Sequence, residues 1–375
     1  MALNAEIIHV PSYKVTLGSN VLQMGNNDLV KSIAVDDYAR GADTFSLTLV
    51  DRHKHWRSGH FHRKDFEYLD ETLIDEKEMA GIQMGYLGNI YPMIEGRIMS
   101  RETDFSKDGP IVVTINGKSL FYDLEKLDAS QNIRRWSNER IQDIVQMIAS
   151  EAGFDSRIEP CDLRFESRQQ NQISYAALLK EMADMIEWEY SVKWDDEKGQ
   201  HCLIFQSPQI QRYPEPKLTL KWGYNIQSFY SRIATQGIPT RVTVRSDRTE
   251  GRGGSQGAII GTVDSIESNK VMGEVPATEV VKKHEHLITT HAAPDDYSAR
   301  WIAQSYMNGK TLRYITGVAE IVGNPEIRAG EIIEIEGIGS KLSGPYYVSR
   351  VSHVIDGSGY STKIFVQRNA RGRSE

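Results

Sequence analysis

The stretch that most constrains the fold is residues 325–368, PEIRAGEIIEIEGIGSKLSGPYYVSRVSHVIDGSGYSTKIFVQR. Ile333 and Ile335 alternate with Glu334 and Glu336, the period-2 pattern of a strand with one buried face. Gly337 and Gly339 punctuate, and Ser343-Gly344-Pro345 marks a second turn. Tyr347, Val351 and Ile355 share one face of the next strand, with Tyr346, Val348 and Val354 on the other. Asp356-Gly357 opens a hairpin connection, after which Thr362, Ile364 and Val366 alternate with Ser361, Lys363 and Gln367. Three strands joined by glycine turns predict antiparallel pairing, with Val351, Ile364 and Val366 buried on one side.

The first part of the chain has the same period. Phe45, Leu47 and Leu49 alternate with Thr44, Ser46 and Thr48, and further strands are predicted at 81–87, 91–101 and 110–117. The period then changes. Ile141, Ile144, Val145 and Ile148 give an amphipathic helix, with Asn138 placed to cap it and Gly153 to stop it. A second helix starts near Ser174, carrying Leu178, Met182, Met185 and Ile186 on one face. It leads into a strand in which Trp188, Tyr190, Val192 and Trp194 alternate with Glu189, Ser191 and Lys193. Residues 195–199 turn the chain and 201–205 return as a strand. These Met and Trp stripes are read as core. Pro208, Pro214 and Pro216 mark a linker, followed by strands at 218–222, 227–234 and 240–245. Residues 265–291 are polar without a clear period; a helix then opens at Pro294-Asp295-Asp296 and ends at Asn308-Gly309, before a strand at 311–322.

Composition narrows the class. Charged residues are 25% and apolar ones 39%, with a net charge of -7, which argues against nonspecific nucleic-acid binding. Two cysteines, Cys161 and Cys202, exclude a disulfide scaffold and fit folding in a reducing cytoplasm. The N-terminus lacks a basic segment followed by an apolar core, so no signal peptide is expected. No window approaches the ~20 apolar residues of a membrane helix.

Candidate chemistry is sparse. His53, His55, His60 and His62 cluster among Arg52, Lys54, Arg57, Arg63 and Lys64. His-x-His pairs can ligate a metal, but neighbouring cations oppose it, so the cluster reads as an exposed loop that charges below the histidine pKa. His284 and His286, beside Lys282 and Lys283, read the same way. Gly251-Arg252-Gly253-Gly254 lacks the Gly-Lys-Ser/Thr and the helix of a phosphate loop. No nucleophile elbow or zinc-protease motif occurs, so no catalytic, cofactor-binding or metal residue is expected. Two rival readings stand beside this one. The first is a cell-wall hydrolase, which needs two carboxylates across a cleft. The second is a carbohydrate- or receptor-binding β-domain using Trp56, Trp222 or Trp301.

Gly330, Gly337, Gly339, Ser343, Gly344, Tyr346, Val348, Val351, His353, Gly359, Tyr360, Thr362 and Arg368 together form a spaced pattern. It resembles the phage late-control gene D and VgrG type of baseplate hub protein, and residues 33–51 resemble the barrel that hubs share with tail-tube proteins. The resemblance implies a β-rich α+β fold with two tail-tube-like antiparallel β-barrels. One barrel takes residues 1–127 and the other 208–247 with 310–370; 128–207 is a small α/β insert, and 248–309 a loop and helical insertion. It implies a non-enzymatic hub without cofactor, joining a six-fold tail tube to a three-fold spike in a contractile phage tail or related injection machine. The implied assembly is a homotrimer contacting tube, spike and baseplate wedge proteins in the virion tail baseplate, without membrane or specific nucleic-acid contacts. VgrG proteins continue into a spike. This sequence ends at Glu375, so the resemblance implies a spike on a separate chain.

Overall fold

The computed structural model describes residues 10–23, 30–51, 79–106, 110–126, 134–165, 168–169, 173–195, 197–211, 214–246, 258–290 and 293–373. Seven strands come first: β1 (Pro11–Leu17), β2 (Asn20–Gln23), β3 (Val30–Tyr38), β4 (Thr44–Asp51), β5 (Met79–Tyr86), β6 (Asn89–Asp104) and β7 (Ile111–Ser119). The alternation seen in the sequence is realised: Ile33, Val35, Phe45, Leu47 and Leu49 are buried while their neighbours face outward. With Val15, Ile82, Met84 and Ile115 they form one apolar cluster.

The insert follows, with α1 (Phe121–Lys126), α2 (Ile141–Glu151), β8 (Asp155–Ile158), α3 (Tyr175–Ile186), β9 (Glu189–Asp195) and β10 (Gln200–Gln206). β8 runs parallel to β10, and β9 pairs with β10 antiparallel. Ser174 caps α3, its hydroxyl accepting from Ala177 N at 3.2 Å. Asn138 does not cap α2: Arg140 occupies that position without a side-chain capping bond, and Asn138 itself has a left-handed φ of 58°.

The chain continues through β11 (Thr219–Lys221), β12 (Ile226–Ile233), β13 (Arg241–Ser246), β14 (Ile259–Val263), β15 (Glu285–Thr289) and α4 (Asp296–Thr311). It ends in β16 (Ile315–Val322), β17 (Ile332–Glu336), β18 (Gly344–Asp356) and β19 (Gly359–Arg368). A second apolar cluster gathers Val348, Val351, Ile364 and Val366 with Ile315, Ala319, Ile333 and Ile335.

Two expectations change. The two halves do not form two separate sheets. Their strands belong to one 13-stranded sheet, in the order β12-β16-β19-β18-β3-β4-β7-β6-β5-β1-β2, with β17 and β11 branching from β18. The architecture is one curled antiparallel sheet with small mixed sheets and a short helical insertion. β18 is the cause: it is long enough to bond two different strands along one edge. Its first half pairs with β17, Tyr347 opposite Ile332, and its second half with β3, Ile355 opposite Ile33. A register shift between Val348 and Arg350 lets Val348 and Val351, of opposite parity, face the same cluster.

Secondly, β13 does not join the strands of the second half. It lies between β14 and β15 in a three-stranded sheet, antiparallel to one and parallel to the other. Val242 and Val244 pack with Ala299 and Ile302 of α4 and with the α2 and α3 faces in a single core. Trp188 and Trp301 meet there at 5.6 Å between ring centres. Two segments far apart in sequence thus share one interior. α4 also runs past Gly309 to Thr311. That glycine permits close packing, because a Cβ there would lie 2.3 Å from the Cβ of Glu187.

Ile364 is fully buried on β19. Ile364→Asp strands a carboxylate in the apolar cluster and is expected to cost on the order of 3–5 kcal/mol, read as a lowered urea midpoint or loss of soluble protein. A normally melting variant would remove β19 from the core.

Candidate functional site

The motif residues at the C-terminus assemble into two buried clusters. In the first, Arg368 closes β19 with 2% exposure, and its guanidinium bonds to backbone carbonyls. Its Nε donates to Met272 O at 2.6 Å, and Nη1 donates to Leu342 O at 3.0 Å and Ser343 O at 2.8 Å. The guanidinium lies over the Tyr346 ring at 5.4 Å, and the Tyr346 hydroxyl donates to Leu342 O at 2.7 Å. Burial lowers the Arg368 pKa. Gly344, at φ +138°, gives the guanidinium room: a Cβ there would meet Arg368 Nη2 at 2.5 Å.

In the second cluster, His353 is fully buried. Its Nε2 lies 3.2 Å from Ile327 O, which requires a proton on that nitrogen and leaves Nδ1 as an acceptor. Nδ1 faces the Thr362 hydroxyl at 3.1 Å and the Tyr360 hydroxyl at 3.0 Å. Thr362 Oγ1 also accepts from Asn324 N at 3.0 Å. Burial first, then the nearby Arg328 cation, push the His353 pKa down to about 3, so the ring stays neutral. His353, Tyr360 and Thr362 therefore fasten the β18–β19 hairpin to the loop after β16.

A third cluster, at the seam between sheet and insert, was not foreseen. β9 turns Glu189 and Lys193 toward β3 and β18. Lys193 Nζ donates to Asp37 and to both Asp43 oxygens, at 2.6 and 2.7 Å. Asp37 also accepts from Ala329 N at 3.1 Å, and Asp43 from Tyr38 N at 2.8 Å. The Tyr347 hydroxyl donates to Glu189, whose other oxygen accepts from Gln206 Nε2 at 3.1 Å. Burial pushes the Glu189 carboxyl up to about 7. Burial also raises Asp43, whereas Lys193 and Arg328 outweigh burial at Asp37 and hold it low. The alternation of β9 was legible, but not that its polar face is covered. Glu189 and Ser191 are buried, while Trp194, expected in the core, is 48% exposed. One end of the seam is marked by Glu187, bonded to Lys310 at 2.6 Å and to Arg40 at 3.4 Å.

His53, His55, His60 and His62, Trp56 and Gly251-Arg252-Gly253-Gly254 lie outside the described residues. His286 stacks on Tyr306 at 4.8 Å. Trp222 is half exposed, and Trp301 packs on the core. Among the described residues no group of three His, Cys, Asp or Glu side chains could hold a metal, and no helix is long and apolar enough to cross a membrane. In all three clusters the polar atoms are spent on one another. The arrangement fastens elements together.

His353 carries a signed pH dependence. Its folded pKa is depressed, so the unfolded chain binds the proton more tightly, and the contribution of the neutral ring is lost as pH falls below about 6.5. His353→Gln, unable to make the three contacts, is expected to be less stable at pH 7.5 by about 1–3 kcal/mol. The gap to the native protein should narrow by up to about 1.4 kcal/mol per pH unit below 6.5. Urea denaturation at pH 7.5, 6 and 5 measures it; a gap constant with pH would show that His353 is not held neutral.

Comparison with solved structures places this fold. The 43 kDa tail protein of prophage MuSo2 from Shewanella oneidensis is 13% identical with a TM-score of 0.68, the match covering 96% of this chain and 98% of that one. The tail protein from Neisseria meningitidis MC58 is 12% identical with a TM-score of 0.66, covering 96% and 97%. An E. coli type VI secretion system component, described as structurally similar to phage tail proteins, is 8% identical with a TM-score of 0.54, covering 94% and 76%. The fold is shared with these tail and secretion-system proteins. No curated protein matches the sequence. The family model described as the Alg8 N-terminal domain matches residues 10–357, and the chain belongs to that family.

Proposed function

We propose that this chain is a structural baseplate hub, joining a six-fold tail tube to a three-fold spike in a contractile phage tail or related injection machine. The observation that carries the reading is the full-length match to two tail proteins, over 96% of this chain in each case. It is supported by the two apolar clusters along the long sheet, which have only β18 and β19 in common. On this reading each cluster is the core of one tube-like lobe, residues 1–127 forming one lobe and 208–247 with 310–370 supplying the other, apart from β13, which packs with the insert. Residues 128–207 and 248–309 are insertions.

The symmetry argument follows from two lobes per chain. A tube ring offers six equivalent docking positions, and a spike in the family resembled is three-fold. Three chains present six lobes while keeping true three-fold symmetry. Head-to-tail contacts between unlike surfaces close such a ring when the rotation allows it. The role needs no catalysis, metal or cofactor; the partners are two further copies of this chain, the tube, spike and wedge proteins, and the place is the virion tail baseplate.

Imaging the assembled particle tests this. Three copies are expected in the ring that abuts the tube, each contributing two lobes to a six-fold interface. Six copies in that ring, or one lobe per chain at the interface, would overturn it.

A further inference from the structure

The seam between the insert and the sheet has an unbalanced set of charges. On the sheet side stand Asp37 and Asp43, 4% and 5% exposed. On the insert side a single ammonium, Lys193, bonds both of them. Four residues earlier on the same strand, Glu189 is also 4% exposed, and its two bonded partners, Tyr347 and Gln206, are neutral. Three buried carboxyls therefore share one bonded cation. In so dry a place, charging all three is costly, and carboxyls that cannot all ionise retain a proton.

The surrounding cations bond elsewhere, although Arg328 and Arg40 act on Asp37 and Glu189 through space. From the sheet, Asp36 is bound to Arg350 at 3.0 Å, and Arg40 is bound to Asp184 at 2.5 Å and to Glu187. From the segment before β17, Arg328 donates to the carbonyls of Pro92 and Met93, which leaves its charge acting on Asp37 without a direct bond, while its backbone N–H donates to Glu331. Glu331 in turn faces Lys217 at 3.8 Å. Lys310 and Arg313 are taken up by Glu187. His353, behind β18, stays neutral through the window that matters here.

We propose that this seam is a proton-linked latch: docked, the Glu189–Asp37–Asp43–Lys193 cluster holds a proton that leaves when the insert lifts from the sheet and the carboxyls meet water. The proton is bound in the closed state and released to solvent on opening, so rising pH favours opening. The sign follows from linkage. A carboxyl whose closed-state pKa is raised contributes stability at low pH that is lost as pH rises from its solvated value, about 4.3, to its closed value. For Glu189 that upper limit is about 7. The ionised Asp37–Lys193 contact acts in the opposite sense only at lower pH, where Asp37 would begin to protonate.

Whole-molecule melting would mix this with the opposite dependence of His353, so the latch is read locally. Hydrogen exchange on the full chain, corrected for intrinsic rates, follows the amide of Gly41, bonded across the seam to Tyr190 O at 2.7 Å. Its protection is expected to fall as pH rises from 5 to 7, approaching tenfold per pH unit for one linked proton, and to level off above that. The β4 amides paired with β7 serve as the reference. Glu189→Gln mimics the protonated carboxyl, donating to Tyr347 Oη and accepting from Gln206, and should flatten the dependence. Tyr347→Phe removes a donor from the ionised form and should shift the fall to higher pH; it also reads the latch if Glu189→Gln does not fold. Seam protection independent of pH in the native chain, an unchanged slope in Glu189→Gln, or no shift in Tyr347→Phe would each overturn the proposal.

Discussion

The backbone hydrogen bonds of β18 are the constraint on which the rest depends. Its 13 residues pair with β19 along one edge and with β17 and then β3 along the other. Two curved sheets, each with an apolar face, could have packed as independent bodies on a flexible linker. Here each ladder bond between β18 and β3 is also a bond between the N-terminal and C-terminal halves. Ile355 and Tyr360, from the far end of the sequence, complete the N-terminal apolar cluster. Changing the angle between the halves would require breaking ladder bonds and exposing these side chains, so the two halves are mechanically one unit.

The buried polar groups follow from that arrangement. A shared strand brings turns and loops from both halves close to its ends, and their carbonyls lie in regions with little access to water. Leaving such groups unpaired would cost about 1–3 kcal/mol each. Arg368 answers this at one end, with three carbonyls of two separate loops, and His353 answers it further along with one carbonyl and two hydroxyls. Residues that mark the C-terminal sequence pattern are thus those that satisfy the loops around β18. This accounts for an arginine, a histidine and two tyrosines in a stretch otherwise made of strand formers, without appeal to catalysis.

Much of the fold was legible because alternation and helical period report burial on one face. Strands β3, β4, β18 and β19, and helices α2 and α3, lie where those periods place them. What was illegible has a common physical origin: periodicity states that a face is covered, but not by what. Val242 and Val244 alternate equally well for either sheet, and their true partner is set by α4, more than 50 residues later. The polar face of β9 reads as solvated, whereas it is covered by β3 and β18. The Asp36-Asp37 pair and Asp43 look like turn residues from sequence, and only the folded chain shows two of them converging on Lys193.

That convergence also fixes how the insert docks. Apolar surfaces tolerate sliding, since displaced contacts are replaced by similar ones. Glu189 and Lys193 lie on one face of β9, separated by roughly 13 Å at the rise of an extended strand. Each has a partner of different chemistry, a tyrosine hydroxyl for the first and two aspartates for the second. A slip of two residues would keep the same face buried but bring Ser191 to one of those positions, leaving a carboxylate pair without its ammonium. A buried ionic cluster is a poor source of net stability, because desolvation offsets its attraction. Its discrimination between registers is large for the same reason, since every misdocked arrangement retains the desolvation cost and loses the attraction. The seam therefore selects one placement of the insert on the sheet, and the uneven count of carboxyls and cations that makes it selective is also what couples it to protons.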